Sequence, residues 1–367
     1  MSGRKRPTIR DVAERAGVSQ TTAAVVLSGK RPDIDRFPEA TQRKVRRAAE
    51  ELGYSRNLLA ASLRTGKSQL IGLLMDDAWA GRETPWFSSP LNGQLLSGVN
   101  ARALELGYTT IVRLIEPGGG MPDPGSVSDL VDLGADGIVV KAPSDEAIEE
   151  IKRRRELGVP AVVVFPQTDV ELGGCVVEAD NVAVGRGAAE LLAELGYDHI
   201  GWYGLDEPET AEKIREQSFL GVLRERGIRP DMALRGTTHS GKPHEENVSH
   251  AHEYLSRVRP RVVYGLGHGP TVSLVLAATD LGFSMPDELA ILGTDCGPPI
   301  WGVPECPRVT SFQISWMDAG RIATDMLVEM LEEGRVDSEG PRLVAPRVAP
   351  GETCPVGKPA GAGSTRA

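Results

Sequence analysis

Much that would mark other protein classes is missing from these 367 residues. No stretch approaches eighteen uninterrupted apolar residues, so no membrane partner is expected. The charged start, MSGRKRPTIRDVAERAG, has no apolar run behind it, so no secretory leader is expected. Cysteine is scarce, with Cys175, Cys296, Cys306 and Cys354 scattered and no close pair among them. That spacing argues against a disulfide scaffold and a four-cysteine zinc module. The expectation is a soluble protein of a reducing, cytoplasmic compartment. Catalytic signatures are missing too: there is no G-x-S-x-G, P-loop or H-E-x-x-H. GLGHG at 265–269 does not complete G-x-G-x-x-G, and Asp76 and Asp77, adjacent in sequence, need not converge as a glycosidase pair. His239, His244, His250 and His252 share a polar stretch without metal-ligand spacing. No enzyme, no cofactor and no metal site are therefore expected.

What is present is a globular composition, 40% apolar and 25% charged, long enough for a small domain plus a larger two-lobed one. Charge is unevenly spread. Residues 1–67 hold 15 of the 41 Lys and Arg but only 7 of the 51 Asp and Glu, a formal +8 that leaves −18 on the remainder. A basic end on an acidic body suits docking of that end on a phosphate backbone while the body stays clear. Charge alone leaves a solvated basic face as an equal reading.

The local pattern adds to charge. Thr8 opens a helical segment with Asp11 three residues on, a short-side-chain capping box. Ile9, Val12, Ala13 and Ala16 recur at helical spacing, and Gly17 suits a turn. Ser19 is a good N-cap for a second helix over 20–27, with Ala23, Val26 and Leu27 inward and Gln20, Thr21 and Val25 outward. A third helix begins near Pro38 and Glu39, carrying Val45, Ala48, Ala49 and Leu52 as a stripe among four basic residues, with Gly53 as its cap. Two short helices across a glycine turn, braced by a third, make a helix-turn-helix whose second helix is available to a major groove.

TIRDVAERAGVSQTTAAVVLSGK, and further on ATQRKVRRAAEELGYSRNLLAASLRTGKSQLIGLL, resemble the LacI/GalR family of bacterial transcriptional regulators, collinearly from Thr8 to about Ala349. The resemblance implies an N-terminal all-α helix-turn-helix DNA-binding domain over 1–55 and a hinge helix with linker over 56–67. An α/β periplasmic-binding-protein-like body of two parallel-sheet lobes would follow. It implies Gln20, Thr21 and Val25 near bases, with Thr8, Ser19 and Thr22 positioning the backbone. Asn57, Ala60 and Leu63 fall on hinge-helix positions, and Leu63 is the residue that would wedge into the minor groove beside its dimer mate. Read without the family, Leu58, Leu59, Ala60 and Leu63 also fit a linker helix packed on the body. One position departs from the family: Val25 stands where an arginine commonly meets guanine. That contact is worth roughly 1–3 kcal/mol of discrimination, whereas valine offers only a thymine methyl contact. An altered operator is expected, read more by Gln20, Thr21 and the hinge. Residues 31–38 also lengthen the turn before the third helix.

Beyond residue 68, short apolar runs at 69–75, 109–116, 135–142, 160–165, 174–181, 199–204, 261–267 and 289–295 alternate with helical stretches. Such runs suit strands buried on both faces, hence two open parallel sheets covered by helices. ELGY recurs at 51–54, 105–108 and 194–197 as a helix end with its glycine cap. Ligands of these sheets bind outside the strand carboxyl ends, here between lobes. By resemblance the first lobe is 68–178 with 309–340, the second is 179–308, and the chain crosses three times. Residues 351–367, rich in glycine and proline, are expected to be a disordered tail.

The resemblance also proposes a pocket. Arg215 matches an arginine that clasps ligand hydroxyls or a carboxylate, and Asp295 matches an aspartate at a strand end. His268, after Gly267, stands where the family has an Asn-Asp pair; Val164, Phe165 and Pro166 replace an Ile-Asp-Arg. The plain structural alternative makes Asp295 a helix cap and Arg215 a surface pair. Trp79, Trp86 and Phe87 sit in one first-lobe loop and suit the apolar face of a sugar or a planar ring, or a dimer partner. The expected protein is a homodimeric repressor of a palindromic double-stranded operator, controlled by a carbohydrate or related metabolite between the lobes. The C-terminus has no leucine heptads for a tetramer. The alternative is a cytoplasmic small-molecule-binding protein whose head has lost specific DNA binding, which Val25 supports.

Overall fold

The computed structural model describes residues 7–28, 33–54, 67–75, 90–115, 121–166, 172–208, 210–238, 244–296, 307–337 and 340–356. In the head, α1 (Ile9–Ala16), α2 (Gln20–Ser28) and α3 (Glu39–Leu52) close over Val12, Ala13, Ala23, Val26, Val45, Ala48 and Ala49. The Thr8–Asp11 capping box is formed, and Gly17 ends α1 at φ +68, a left-handed turn that side chains other than glycine resist. Ser19 Oγ accepts from the Thr22 N–H at 3.0 Å and so caps α2. The lengthened turn holds a 3₁₀ turn (Asp33–Arg36) that buries Ile34, and Gln42 donates to the Ile34 and Phe37 carbonyls at 3.2 and 3.0 Å. Within 33–38, Ile34 is thus buried and Phe37 half-buried, while residues 31 and 32 lie outside the described residues.

The body is one plan built twice. The first sheet contains β1 (Leu70–Met75), β2 (Thr109–Leu114), β3 (Gly137–Lys141), β4 (Ala161–Val164), β5 (Val176–Ala179) and β11 (Arg342–Val344), in the order β11-β5-β4-β3-β1-β2. The second contains β6 (Gly201–Leu205), β7 (Arg235–Thr238), β8 (Val262–Gly265), β9 (Ala290–Thr294), β10 (Thr310–Gln313) and β12 (Arg347–Ala349), in the order β12-β10-β9-β8-β6-β7. All pairings are parallel except β10 with β12.

Helices cover both faces of each sheet. In the first lobe, α4 (Pro90–Glu105) and α11 (Trp316–Glu333) pack on Ile71, Leu73, Val139 and Val162. On its other face, α5 (Pro124–Asp132) and α6 (Asp145–Glu156) cover Leu74, Ile138, Val140 and Val163. In the second, α7 (Asn181–Glu194) and α8 (Thr210–Glu225) cover Trp202, Tyr264 and Leu292. Its opposite face, with Tyr203, Val263 and Ile291, lies under α9 (His244–Val258) and α10 (His268–Asp280). Helices α4 and α11 approach closely because Gly98 and Gly320 carry no Cβ; one on either would collide with the facing backbone at Met317 or Leu95. The three ELGY glycines, Gly53, Gly107 and Gly196, have φ +62, +80 and +84 at helix ends.

Three differences from the sequence reading have physical reasons. The chain returns to the first lobe after Gln313 and not at 309, because β10 pairs with β9 in the second sheet. The tail reading fails for 351–356: Thr353 and Cys354 are buried, and Thr353 Oγ1 donates to the Ile291 carbonyl at 2.7 Å. Residues 357–367 lie outside the described residues. The short strands β7, β10, β11 and β12 were not expected, since each carries arginine or threonine and lacks an apolar run. No helix among the described residues is long and apolar enough to cross a membrane.

Candidate nucleic-acid interface and ligand cleft

Helix α2 presents Gln20 and Thr21 to solvent and half-exposes Thr22, Ala24 and Val25, while Ala23 and Val26 face the head's core. No ionisable residue lies on it. The hydroxyls of Ser19 and Thr22 meet at 2.8 Å, and the Thr8 hydroxyl donates to Asp11 at 2.9 Å. Thr8 and Ser19 thus mark the starts of α1 and α2, where unpaired N–H groups and the helix dipole favour phosphate. Among the described residues, Arg10, Arg15, Arg36, Arg43 and Arg47 of the head pair with carboxylates on its surface. Arg15 and Arg47 meet Glu51 at 2.7 and 2.9 Å and hold its carboxyl below the usual carboxylate range, Arg15 contributing most. Asn57, Ala60 and Leu63 lie outside the described residues.

The carboxyl-end edge of the second sheet is built around Arg215 on α8. Its Nε donates to Asn181 Oδ1 at 2.8 Å, Nη1 to the Leu266 carbonyl at 3.1 Å, and Nη2 meets Asp295 Oδ2 at 3.4 Å. Both members of that ion pair are only about a tenth exposed, with side-chain exposures of 9% and 10%. Asp295 follows β9 at φ +55, and its other oxygen accepts from the Ile314 N–H at 3.0 Å. His268, the first residue of α10, brings Nδ1 to 3.0 Å from the Asp295 carbonyl and 3.8 Å from Cys296 Sγ. Arg215, Asp295 and His268 therefore converge, as an internally bonded cluster: neither a helix cap nor a surface pair describes it. These three bonds use three of the five guanidinium N–H groups.

Backbone hydroxyl ties stiffen this edge. Thr294 Oγ1 reaches the Gly265 carbonyl at 2.9 Å and the Tyr264 hydroxyl at 3.1 Å, and Ser311 Oγ donates to the Cys296 carbonyl at 2.8 Å. Burial pushes the Tyr264 hydroxyl up to about 12, so it stays a neutral donor.

The carboxyl-end edge of the first sheet is apolar and cationic. Lys141, buried at the end of β3, places Nζ 5.6 Å from the Trp316 ring centroid. Phe165, at φ +51 just after β4, meets Trp316 edge-on at 4.6 Å. Sequence reasoning singled out none of Lys141, Asn181 and Trp316, which bond or pack beside these predicted residues. A polar residue just past a strand's carboxyl end was the available signal for Asn181; Trp316 arrives from the third segment of the first lobe and carries no local one. Trp79, Trp86 and Phe87 lie outside the described residues. Among the described residues no group of three or more His, Cys, Asp or Glu could hold a metal ion. Residue 239 and the His244 side chain also lie outside them.

Comparison with known proteins agrees with this architecture. Residues 8–57 match the model of bacterial regulatory proteins, lacI family, and residues 189–354 match a periplasmic binding protein-like domain. The chain is 29% identical over 303 residues to the HTH-type transcriptional regulator DegA of Bacillus subtilis (strain 168), covering 79% of this chain and 82% of the relative. A crystal structure of the lac repressor dimer bound to operator and the anti-inducer ONPF superposes with TM-score 0.72 at 19% identity, covering 95% and 99%. A transcriptional regulator CelR–cellobiose complex gives TM-score 0.63 at 21% identity, covering 95% and 100%. The two matches fall on the head and on the second half of the body, in the order the fold requires. With a capped helix-turn-helix in front and two parallel-sheet lobes behind, the chain is homologous to bacterial regulatory proteins of the lacI family.

Proposed function

We propose that this regulator represses transcription as a homodimer on a palindromic operator, released or tightened by a small polar metabolite held between its lobes. The exposed, uncharged face of α2 carries the DNA part of the reading: Gln20 and Thr21 stand outward while Ala23 and Val26 are buried. In this reading Gln20, Thr21 and Val25 reach base edges; Thr8, Ser19 and Thr22 position the phosphates; Asn57, Ala60 and Leu63 form the minor-groove hinge. Two-fold symmetry of the operator follows from a dimer that places two such heads. The Arg215–Asp295–His268 edge and the Phe165–Trp316 platform supply polar and apolar faces, which suits a carbohydrate or related metabolite. Trp79, Trp86 and Phe87 would complete the first-lobe side. The cellobiose of one structural relative is of that chemistry.

Selection of random duplex DNA on the full-length protein, followed by salt titration, tests the reading. The expected outcome is an enriched palindrome whose specific binding Leu63→Ala abolishes. Gln20 favours adenine, and Val25 favours a thymine methyl over guanine. Replacing the contacted thymine by uracil should weaken binding several-fold, and Val25→Arg should shift the preference at that base pair towards guanine. If no palindrome emerges with or without a metabolite pool, the head has lost specific binding and the chain is a small-molecule binder.

A further inference from the structure

Two elements of the first lobe run from the carboxyl-end edge of its sheet to the opposite edge, and both end on the first residues after the hinge segment. Strand β3 starts beside Asp136 and ends at Lys141, a span of about 17 Å for a strand of that length. Helix α11 runs the other way, from Trp316 to Leu331 in its last turn, about 23 Å along a helix axis. At the carboxyl-end edge the two meet, since Lys141 lies over the Trp316 ring and Phe165 braces the same ring.

At the opposite edge both grip the chain as it enters the body. The Asp136 carboxylate accepts three hydrogen bonds, from the Ser68 N–H at 2.8 Å, the Ser68 hydroxyl at 2.9 Å and the Gln69 N–H at 2.7 Å. The Lys67 ammonium donates to the Leu331 carbonyl at 3.1 Å, at the negative end of the α11 dipole. Gln69 is held at φ +63, a left-handed conformation that glutamine seldom adopts unless its surroundings impose it. The direction in which the chain leaves towards residue 66 is therefore tied to the positions of Asp136 and Leu331.

We infer that Asp136 is a positioning residue through which the state of the interlobe cleft sets the direction of the hinge. A ligand that displaces Lys141 or Trp316 moves the far ends of β3 and α11, and with them the clasp on residues 67–69. This rests on the reading of the cleft as the effector site and the head as the operator reader. Spatial continuity alone does not establish coupling, so the test perturbs one end and reads the other.

Native-state hydrogen exchange on the full chain needs neither ligand nor operator. Asp136→Asn is expected to speed exchange of the Ser68 and Gln69 amides at least tenfold, with Asp136→Glu, which keeps a carboxylate, falling between it and wild type. Trp316→Leu, at the far end of α11, is expected to speed the same two amides at least threefold while Ile291 and Leu292 in the second lobe keep their rates. Wild-type rates at Ser68 and Gln69 in either Asp136→Asn or Trp316→Leu overturn the inference. If Trp316→Leu loses protection throughout both lobes, Lys141→Met replaces it and is read the same way. On a selected operator, Asp136→Asn should lose at least tenfold in specific affinity with unchanged binding to random duplex. Unchanged operator affinity sinks the inference and leaves the regulator reading intact. Failure to select any operator sinks the regulator reading, and the exchange rates still decide whether the clasp is coupled to the cleft.

Discussion

Phe165 and Asp295 occupy the same place in the two lobes, and their difference shows how one plan gives two kinds of strand-end edge. Each follows the fourth strand of its lobe in a left-handed conformation, at φ +51 and +55. Each donates its backbone N–H to the neighbouring strand, Phe165 to Val177 at 2.9 Å and Asp295 to Phe312 at 2.8 Å. Phe165 then stacks against Trp316, whereas Asp295 binds Arg215. The residue before each repeats the contrast, Val164 being aliphatic and Thr294 hydroxylated. An apolar rim is positioned by packing, which is adaptable; a polar rim is positioned by bonds that each specify a direction.

The comparison breaks most readily at Arg215. Arg215→Ala would strand the Asp295 carboxylate in a buried site and should cost about 3–5 kcal/mol in denaturant unfolding. A loss below about 1 kcal/mol would mean that the second lobe's edge is held by packing like the first. The next test exchanges the two preceding residues. Thr294→Val should cost about 1–2 kcal/mol, because the Gly265 carbonyl and Tyr264 hydroxyl lose a partner. Val164→Thr should cost about 1–3 kcal/mol by burying a hydroxyl among aliphatic neighbours. Equal stability of either variant with wild type, measured by thermal and denaturant midpoints, would remove the contrast.

The smallest effect belongs to the first lobe's outer surface. Glu150 on α6, bonded to Arg153 and then Arg154 and Ser128, has its carboxyl lowered from 4.5 to about 2. A depressed carboxyl stabilises the fold above its unfolded value, and that contribution is lost as pH falls from about 4.5 towards 2. Glu150→Gln should cost about 0.5 kcal/mol at neutral pH, the pair being near the surface, and should flatten the acid limb of a melting-temperature profile. An unchanged acid limb would show that Glu150 contributes nothing there.

Legibility followed the range of the interactions. The head could be read from Thr8, Gly17, Ser19 and Gly53 because caps and turns are settled within a few residues. Most central strands could be read because burial on both faces favours an unbroken apolar run, as in the AVVV of β4, whereas the TSFQ of β10 offers none. Strands β7, β11 and β12 could not, because an edge strand takes its burial from neighbours distant in sequence. The same holds for Thr353, whose hydroxyl and backbone serve β9 and β10 although its own neighbours are glycine, proline and charge. In the cleft, Arg215, Asp295 and His268 were nameable by family resemblance. Their internal bonding was not, since Asn181 and the Leu266 carbonyl come from other segments.

The amino-acid sequence by itself determined the basic helix-turn-helix head, the alternation of strand and helix and the absence of catalytic signatures, all of which depend on residue type and short spacing. Tertiary structure alone decided that Asp295 is paired and Phe165 stacked, that residues 351–356 are packed, and that Asp136 clasps the start of the body. Those outcomes depend on which distant segments share an edge of a sheet, and chain crossings set that while leaving no periodicity in the sequence.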